Sequence, residues 1–236
     1  MGELDPKTLI ARFRRAKARR AVWEAHWQEC YDFALPQRGG GFVQTIAAGA
    51  KRTDRLFDGT APDAVDQLAA SLLGQLTPPW ARWFGFDVGK DAAPEDQAAL
   101  AAELERAETI LQSHFDRANF AVEMHQCFLD LVTAGTASLL FEEAPPGEPS
   151  AFRFTAVPLA QVVLEEGAAG RLDTSFRRSE MTLAQLRDRF AGAAIPDAVA
   201  ERLGRDPEAR AAVIEAVVPD GGGYAYLAAL DADPAP

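Results

Sequence analysis

Between residues 5 and 35 the apolar positions Leu9, Phe13, Ala16, Trp23, Trp27 and Tyr31 recur every three or four residues, the period of one face of an α-helix. Asp5 is suited to cap that helix and Pro6 to fill its first position, and Pro36 stops it, so the pattern predicts a helix from Asp5 to Ala34 or Leu35, about 45 Å long at about 1.5 Å per residue. A helix of that length needs a partner surface. The following "PQRGGGFVQTIAAGAKR" has no periodicity and three consecutive glycines, and reads as a mobile loop or arm. In "FDGTAPDAVDQLAASLLGQLTPPWARWFGF", Ala61, Ala64, Val65, Leu68, Leu72, Leu73 and Leu76 keep a helical period. Thr60 and Asp63 resemble a capping box around Pro62, and Pro78 and Pro79 end the helix.

A third helix is expected from near Pro94 to Ala118 through Leu100, Leu104, Ala107, Leu111, Phe115 and Ala118. A fourth is expected after Asn119 through Phe120, Met124, Cys127, Phe128, Leu131 and Val132, fading at Gly135. The pattern then changes. "ASLLFEE", "FRFTAVP", "QVVLEE" and "RLDTSFRRSEM" are short and β-rich, and "APPGEPS" and "GAAG" separate them as turns, which predicts an antiparallel meander. A short helix over Leu183 to Phe190 interrupts it, and "AAVIEAVV" and "YAYLAAL" form a further hairpin across "PDGGG". The fold class is therefore α+β: a helical region over 1–135, then an antiparallel β-rich region over 136–236.

Composition narrows the chemistry. With 48% hydrophobic and 25% charged residues, the 236-residue chain is that of a folded protein. No run of about 18 apolar residues and no secretory leader is visible, which makes the cytoplasm the default compartment. Cys30 and Cys127 lie far apart and suit a reducing environment. Residues 1–55 hold 11 Lys+Arg against 6 Asp+Glu, so the remainder carries −16 of the net −11. That acidic bulk disfavours tight nucleic-acid binding.

Four features are candidates for chemistry. Arg12, Arg14, Arg15, Lys17, Arg19 and Arg20 could touch DNA phosphates or an acidic neighbouring subunit, or could be the solvated face opposite the apolar stripe. Trp80, Trp83, Phe84 and Phe86 could stack nucleobases. Only Arg82 accompanies them, however, so they read better as a structural corner with Thr60, Asp63, Pro78 and Pro79 that wedges a helix against a sheet or a subunit. His26, Cys30, His125 and Cys127 match no usual zinc spacing, His114 has no obvious partner, and no metal, cofactor or catalytic residue is assigned. Gly39-Gly40-Gly41 and Gly221-Gly222-Gly223 carry no phosphate-loop pattern.

One ordered set of segments is more specific than any of these. "YDFALPQRG", "RLFDGTAPDAVDQLAASLLGQLTPPWARWFGF", "NFAVEMHQCFLDLVTAGTASLLFEE" and "FTAVPLAQVVLEEGAAGRLDTSFRR" resemble, in that order, the N-terminal region of the head-to-tail connector, or portal, proteins of short-tailed bacteriophages. The resemblance implies a non-enzymatic subunit of a homododecameric ring at one capsid vertex, present in the virion and in the host cytoplasm during assembly. Its implied partners are other copies of itself, the capsid, the packaging motor (terminase), tail adaptor proteins and double-stranded DNA passing without sequence specificity, with no membrane. It also implies that 1–135 and 136–236 are portions of a wing truncated before the stem, clip and crown. The alternative is a stand-alone helical scaffold or adaptor that binds a partner through the first helix's aromatic stripe.

Overall fold

The computed structural model describes residues 5–38, 41–42, 51–53, 56–89, 97–193 and 195–231. The glycines Gly39 and Gly40, the expected start of the third helix near Pro94, and the tail after Asp231 lie outside these residues. The chain divides into two compact units, one of Met1–Glu24 with Ala160–Pro236 and one of Ala25–Leu159. Position 135, where the sequence turns from helical to strand-rich, marks a change of secondary structure and not the division between these units.

In the first unit, β3 (Val162–Glu166), β4 (Leu172–Thr182), β5 (Arg210–Asp220) and β6 (Gly223–Asp231) form an antiparallel sheet in that order. Alternation puts Val163, Phe176, Ile214, Ala216 and Val218 on one face, buried against Leu9, Phe13 and Ala16 of α1 (Pro6–Ala34). On the other face Val213, Ala228 and Leu230 meet Leu186 and Phe190, in and just after α5 (Leu183–Arg189). Thr182 caps α5 in a reciprocal box with Gln185. Gly221 and Gly222, at φ 55° and 91°, make the two-residue turn of the β5–β6 hairpin, a conformation that glycine adopts without strain.

In the second unit, Tyr31 and Leu35 pack with Val65 and Ala69 of α2 (Thr60–Leu76) and with Phe128 and Leu129 of α4 (Phe120–Ala134). α3 (Gln97–Arg117) precedes α4, and the hairpin of β1 (Leu139–Glu143) and β2 (Phe152–Ala156) follows it. Gly135 ends α4 at φ 74°, the left-handed C-cap that glycine favours.

Several expectations are corrected. The single meander is two sheets, because β1–β2 packs with α4 in one unit while β3 to β6 close over the start of α1 in the other. A helix over Asp197–Arg205, α6, was not expected; it buries no residue, and its apolar row is no more than Val199 and Leu203, both part-exposed. Thr60 and Asp63 form no capping box. The helix already includes Thr60, and Asp58 accepts both the Thr60 N–H (3.0 Å) and its hydroxyl (2.9 Å). Ala61, Ala64, Leu68 and Leu76 on α2, Leu100 on α3 and Leu131 on α4 keep the helical period but are exposed, whereas Ala69, Leu129 and Asp130 are buried. The Trp23 ring, expected in the α1 stripe, is 58% exposed. The buried row of α1 passes instead through Arg20 and Glu24, which form an ion pair at 2.6 Å.

Candidate functional site

The basic run on α1 separates into two groups. Arg12 donates from Nε to Glu165 (2.5 Å) and from Nη2 to Thr174 Oγ1 (3.0 Å), with its guanidinium 6.0 Å from the Phe176 ring centroid. Arg20 donates to Glu24 and to the main-chain oxygens of Ala160 (3.2 Å) and Val162. Arg14 lies 3.5 Å from Asp231. These three cations serve the sheet next to them. Arg15, Lys17 and Arg19 are exposed and make no ion pair among the described residues, so they are the part of the run that can meet an anionic surface.

The aromatic segment divides in the same way. Trp83 stacks on Phe120 at 5.5 Å and 10° and meets Phe84 and Phe115 edge-on. Phe115 continues the cluster to Phe152 and Phe154, and Phe84 touches the part-exposed Phe86. Such edge and offset contacts add about 0.5–1.5 kcal/mol per pair to the burial of the rings. One face of Trp83 is therefore taken by Phe120, which leaves it poorly placed as a stacking platform. Trp80 stands outside the cluster at 76% exposure, its ring 3.5 Å from where a Cβ on Gly74 would sit. Thr60 and Asp63 are at the opposite end of α2 from Pro78 and Pro79, about 25 Å away at about 1.5 Å per residue, so the structure does not bring them to the corner.

The anchor of the corner is a residue the sequence reading passed over. Glu108, buried on α3, accepts the Phe86 N–H at 2.5 Å and pairs with Arg82 at 2.7 Å. Its Oε1 lies 3.3 Å from where a Cβ on Gly85 would be, so a side chain at 85 would press on the carboxylate that holds the corner. A polar residue in the middle of the expected α3 stripe was the available signal.

Arg38 is the second omission. Read as part of a loop, its guanidinium instead holds Asp130 through two bonds, Nε to Oδ1 and Nη2 to Oδ2, and also donates to Gln126 (2.9 Å) and the Ala156 carbonyl (3.4 Å). The Tyr31 hydroxyl donates to Asp130 at 2.8 Å. Burial, and then the Asp130 charge, push the Tyr31 phenol upward and raise the Cys127 thiol to about 11. Burial works against the Arg38 charge, but the hydrogen bonds and charge of Asp130 outweigh it and raise its pKa. In the first unit, Glu215 accepts from Arg189 (2.9 Å) and from the Tyr226 hydroxyl (2.5 Å), and burial followed by Glu215 raises Tyr226 to about 12.

The outer edge of β2 is closed by side chains. Ser150 Oγ accepts the Phe152 N–H (3.0 Å), Asn119 bonds both the N–H (3.0 Å) and the carbonyl (2.8 Å) of Phe154, and Glu123 accepts the Ala156 N–H (2.7 Å). The Asn119 amide thus takes the place of a neighbouring strand.

For metal chemistry, His26 Nε2 lies 3.8 Å from Cys30 Sγ, and the Cys127 thiol donates to the Ser138 carbonyl at 3.6 Å. The His114 ring accepts the Ala151 N–H at 3.1 Å. Among the described residues no three His, Cys, Asp or Glu converge, and no helix is long and apolar enough to cross a membrane. Of the aromatic stripe proposed for an adaptor, Tyr31 is buried and Trp27 and Tyr31 both pack on Phe42, so Trp23 alone is widely exposed.

Comparison with known proteins gives a family match over most of the chain: the model described as bacteriophage head to tail connecting protein matches residues 6–229. A probable portal protein of Bordetella phage BPP-1 is 27% identical over 186 residues, covering 78% of this chain and 32% of the relative. The portal protein of Salmonella phage epsilon15 is 23% identical over 194 residues, covering 80% of this chain and 34% of the relative. The chain thus spans about a third of the length of these curated relatives.

Proposed function

Because this chain belongs to the family of bacteriophage head to tail connecting proteins, we propose that it is a structural part of a phage portal, a ring of identical subunits at one capsid vertex. Double-stranded DNA passes through such a ring without being read, and the capsid, packaging motor and tail adaptors attach to it. The observation that carries this reading is the family match across residues 6–229, with two portal relatives that follow it over most of the chain.

The side-chain chemistry supports a role in assembly rather than in bond making. The charged clusters that resist solvent, Arg38 with Asp130, Arg12 with Glu165 and Arg189 with Glu215, each tie one element to another. The −16 carried by residues 56–236 keeps phosphate contacts few, which a sliding polyanion requires. Arg15, Lys17 and Arg19 then fit an acidic face of a neighbouring subunit better than a long track of DNA. The protein would thus be a virion component that acts by association.

Electron microscopy of the purified chain tests the reading. Rings of many copies around a central hole are expected. A chain that stays monomeric at concentrations up to about 100 μM, where contacts as weak as about −5.5 kcal/mol would already be seen, overturns self-assembly through this region.

A further inference from the structure

The molecule treats its strand edges unequally. The β2 edge is closed by Ser150, Asn119 and Glu123, and the β3 edge by Arg20, which donates to the Val162 carbonyl. Two edges are left open. In the β1–β2 hairpin the Ala144 N–H donates to Ala151 and the Val157 N–H to Ser138. Hydrogen-bonded pairs alternate from there, so Leu139, Phe141 and Glu143 direct their main-chain groups away from β2. In the β5–β6 hairpin the two-residue turn makes Asp220 and Gly223 a bonded pair, so Tyr224, Tyr226, Ala228 and Leu230 direct theirs away from β5. Among the described residues no hydrogen bond meets these outward groups.

An open edge of this kind is a template for another strand, and proteins normally blunt it with charge, proline or a bulge. β6 has little of this: its one charge, Asp231, is its last residue and pairs with Arg14 and Arg178, while Gly223 to Leu230 holds no charged residue and no proline and keeps an unbroken register against β5. Beside it lies an apolar cavity of about 250 Å³ lined by Leu186, Phe190, Ile195, Val213, Ala228 and Leu230. A bare edge next to an apolar recess is the arrangement that receives an added strand, main chain to main chain, with alternate side chains in the recess.

We propose that the open edge of β6 pairs with the open edge of β1 from a second copy of this chain, antiparallel, with Phe141 opposite Ala228. The choice of a second copy rests on the portal reading above; the two open edges belong to the structure independently of it. Antiparallel pairing places Leu139 against Leu230 and turns the exposed side of the Phe141 ring toward the cavity. Parallel pairing would instead bring Glu143 toward Asp231, two like charges at one end. Each copy gives β1 and accepts on β6, so the contact is head-to-tail; repeated, it closes into a ring or runs on as a filament, and only a reciprocal exchange between two copies would end it at a dimer.

Cysteine pairs test this. Under mild oxidation the double variant Phe141→Cys/Ala228→Cys is expected to give a ladder of cross-linked species on a non-reducing gel, and an equimolar mixture of the two single variants is expected to give dimers only. Each single variant alone controls for Cys30 and Cys127. Ala228→Pro removes only an outward N–H, and Phe141→Lys puts a charge on the exposed edge. Both are expected to weaken self-association by at least tenfold in sedimentation velocity, with a circular dichroism melt near wild type for Ala228→Pro and a lower one for Phe141→Lys, whose ring contacts Phe152 and Phe154. If copies associate but neither cross-link exceeds the single variants, or if both edge variants associate normally, the strand pairing is overturned while the portal reading stands. A chain that never associates overturns the pairing as well.

Discussion

Arg38 and Asp130, 92 residues apart in sequence, face each other through two charge-assisted hydrogen bonds of 2.8 and 2.7 Å, and the carboxylate is almost wholly buried. The pair joins the turn after α1 to the middle of α4. Removing one partner leaves the other charged and desolvated. Asp130→Ala is therefore expected to cost about 3–5 kcal/mol, a fall in Tm of about 6–20 °C for a chain of this size. Arg205→Ala, which breaks an exposed pair with Glu201 one turn away, is expected to move Tm by about 2 °C or less. Thermal melts of both variants check the contrast, and equal shifts would refute it.

Alkaline pH should loosen the fold before the side chains that cause it have ionised in place. The Cys127 thiol is raised from 9.0 to about 11 and the Tyr226 phenol from 10.0 to about 12, with Tyr31 also moved upward. The unfolded chain releases these protons first, so the folded state holds more protons in that interval and stability falls as pH rises. The contribution of Cys127 and Tyr226 is complete below about pH 9 and lost as pH rises through about 12, while that of Tyr31 goes on falling above it. Urea midpoints across that range should decline, and Cys127→Ala should flatten the first part of the decline.

Glu108 separates two contributions in one side chain. Glu108→Gln keeps an acceptor for the Phe86 N–H and loses only the charge on half-exposed Arg82, so a cost of about 1 kcal/mol or less is expected. Glu108→Ala also leaves that part-buried N–H without its acceptor and should cost more, about 1–3 kcal/mol. The emission of Trp83, which shares the corner, should shift to the red in the alanine variant and stay in place in the glutamine one.

The aromatic cluster has a centre and a margin. Phe154 is buried among Phe115, Phe120 and Phe141, and Phe154→Ala should cost about 3–5 kcal/mol. Trp80→Ala, at a ring outside the cluster, should stay within about 0.5 kcal/mol. Chemical denaturation of both variants gives the comparison directly.

In the basic run, stability and association should come apart. Arg20→Ala strips the donors from the Ala160 and Val162 carbonyls and should cost about 1–3 kcal/mol in urea unfolding. The triple change Arg15→Ala, Lys17→Ala and Arg19→Ala should leave the melt unchanged and reduce the salt dependence of self-association.

Most elements were legible because periodicity, proline and glycine punctuate this chain clearly: Pro6 opens α1, Pro78 follows α2, Gly135 ends α4, and Gly221-Gly222 turns the last hairpin. What was not legible followed from tertiary pairing. The apolar rows on α2, α3 and α4 are broader than their buried faces, so Leu68 and Leu131 read as core although they are exposed. Conversely Arg20, Glu108 and Asp130 are shielded because a partner distant in sequence meets each of them, and charge in a single sequence carries no sign of that partner. The corner at Trp83 and Phe84 could be placed from its prolines, but its anchor, Glu108, lies 22 residues beyond Phe86 on another element. The family resemblance rested on segment order, which survives where individual contacts cannot be read.

The side chains that close the β2 edge also fix its frame of reference. Asn119 and Glu123 hold Phe154 and Ala156 from α4, so the hairpin takes its alignment from a helix and owes little to its own turn. Residues 145–149, which join the two strands, are therefore free to vary in length and chemistry without sliding β1 against β2. That turn is the place in this unit where a loop could be lengthened, tagged or exchanged between related chains while the strands on either side keep their partners.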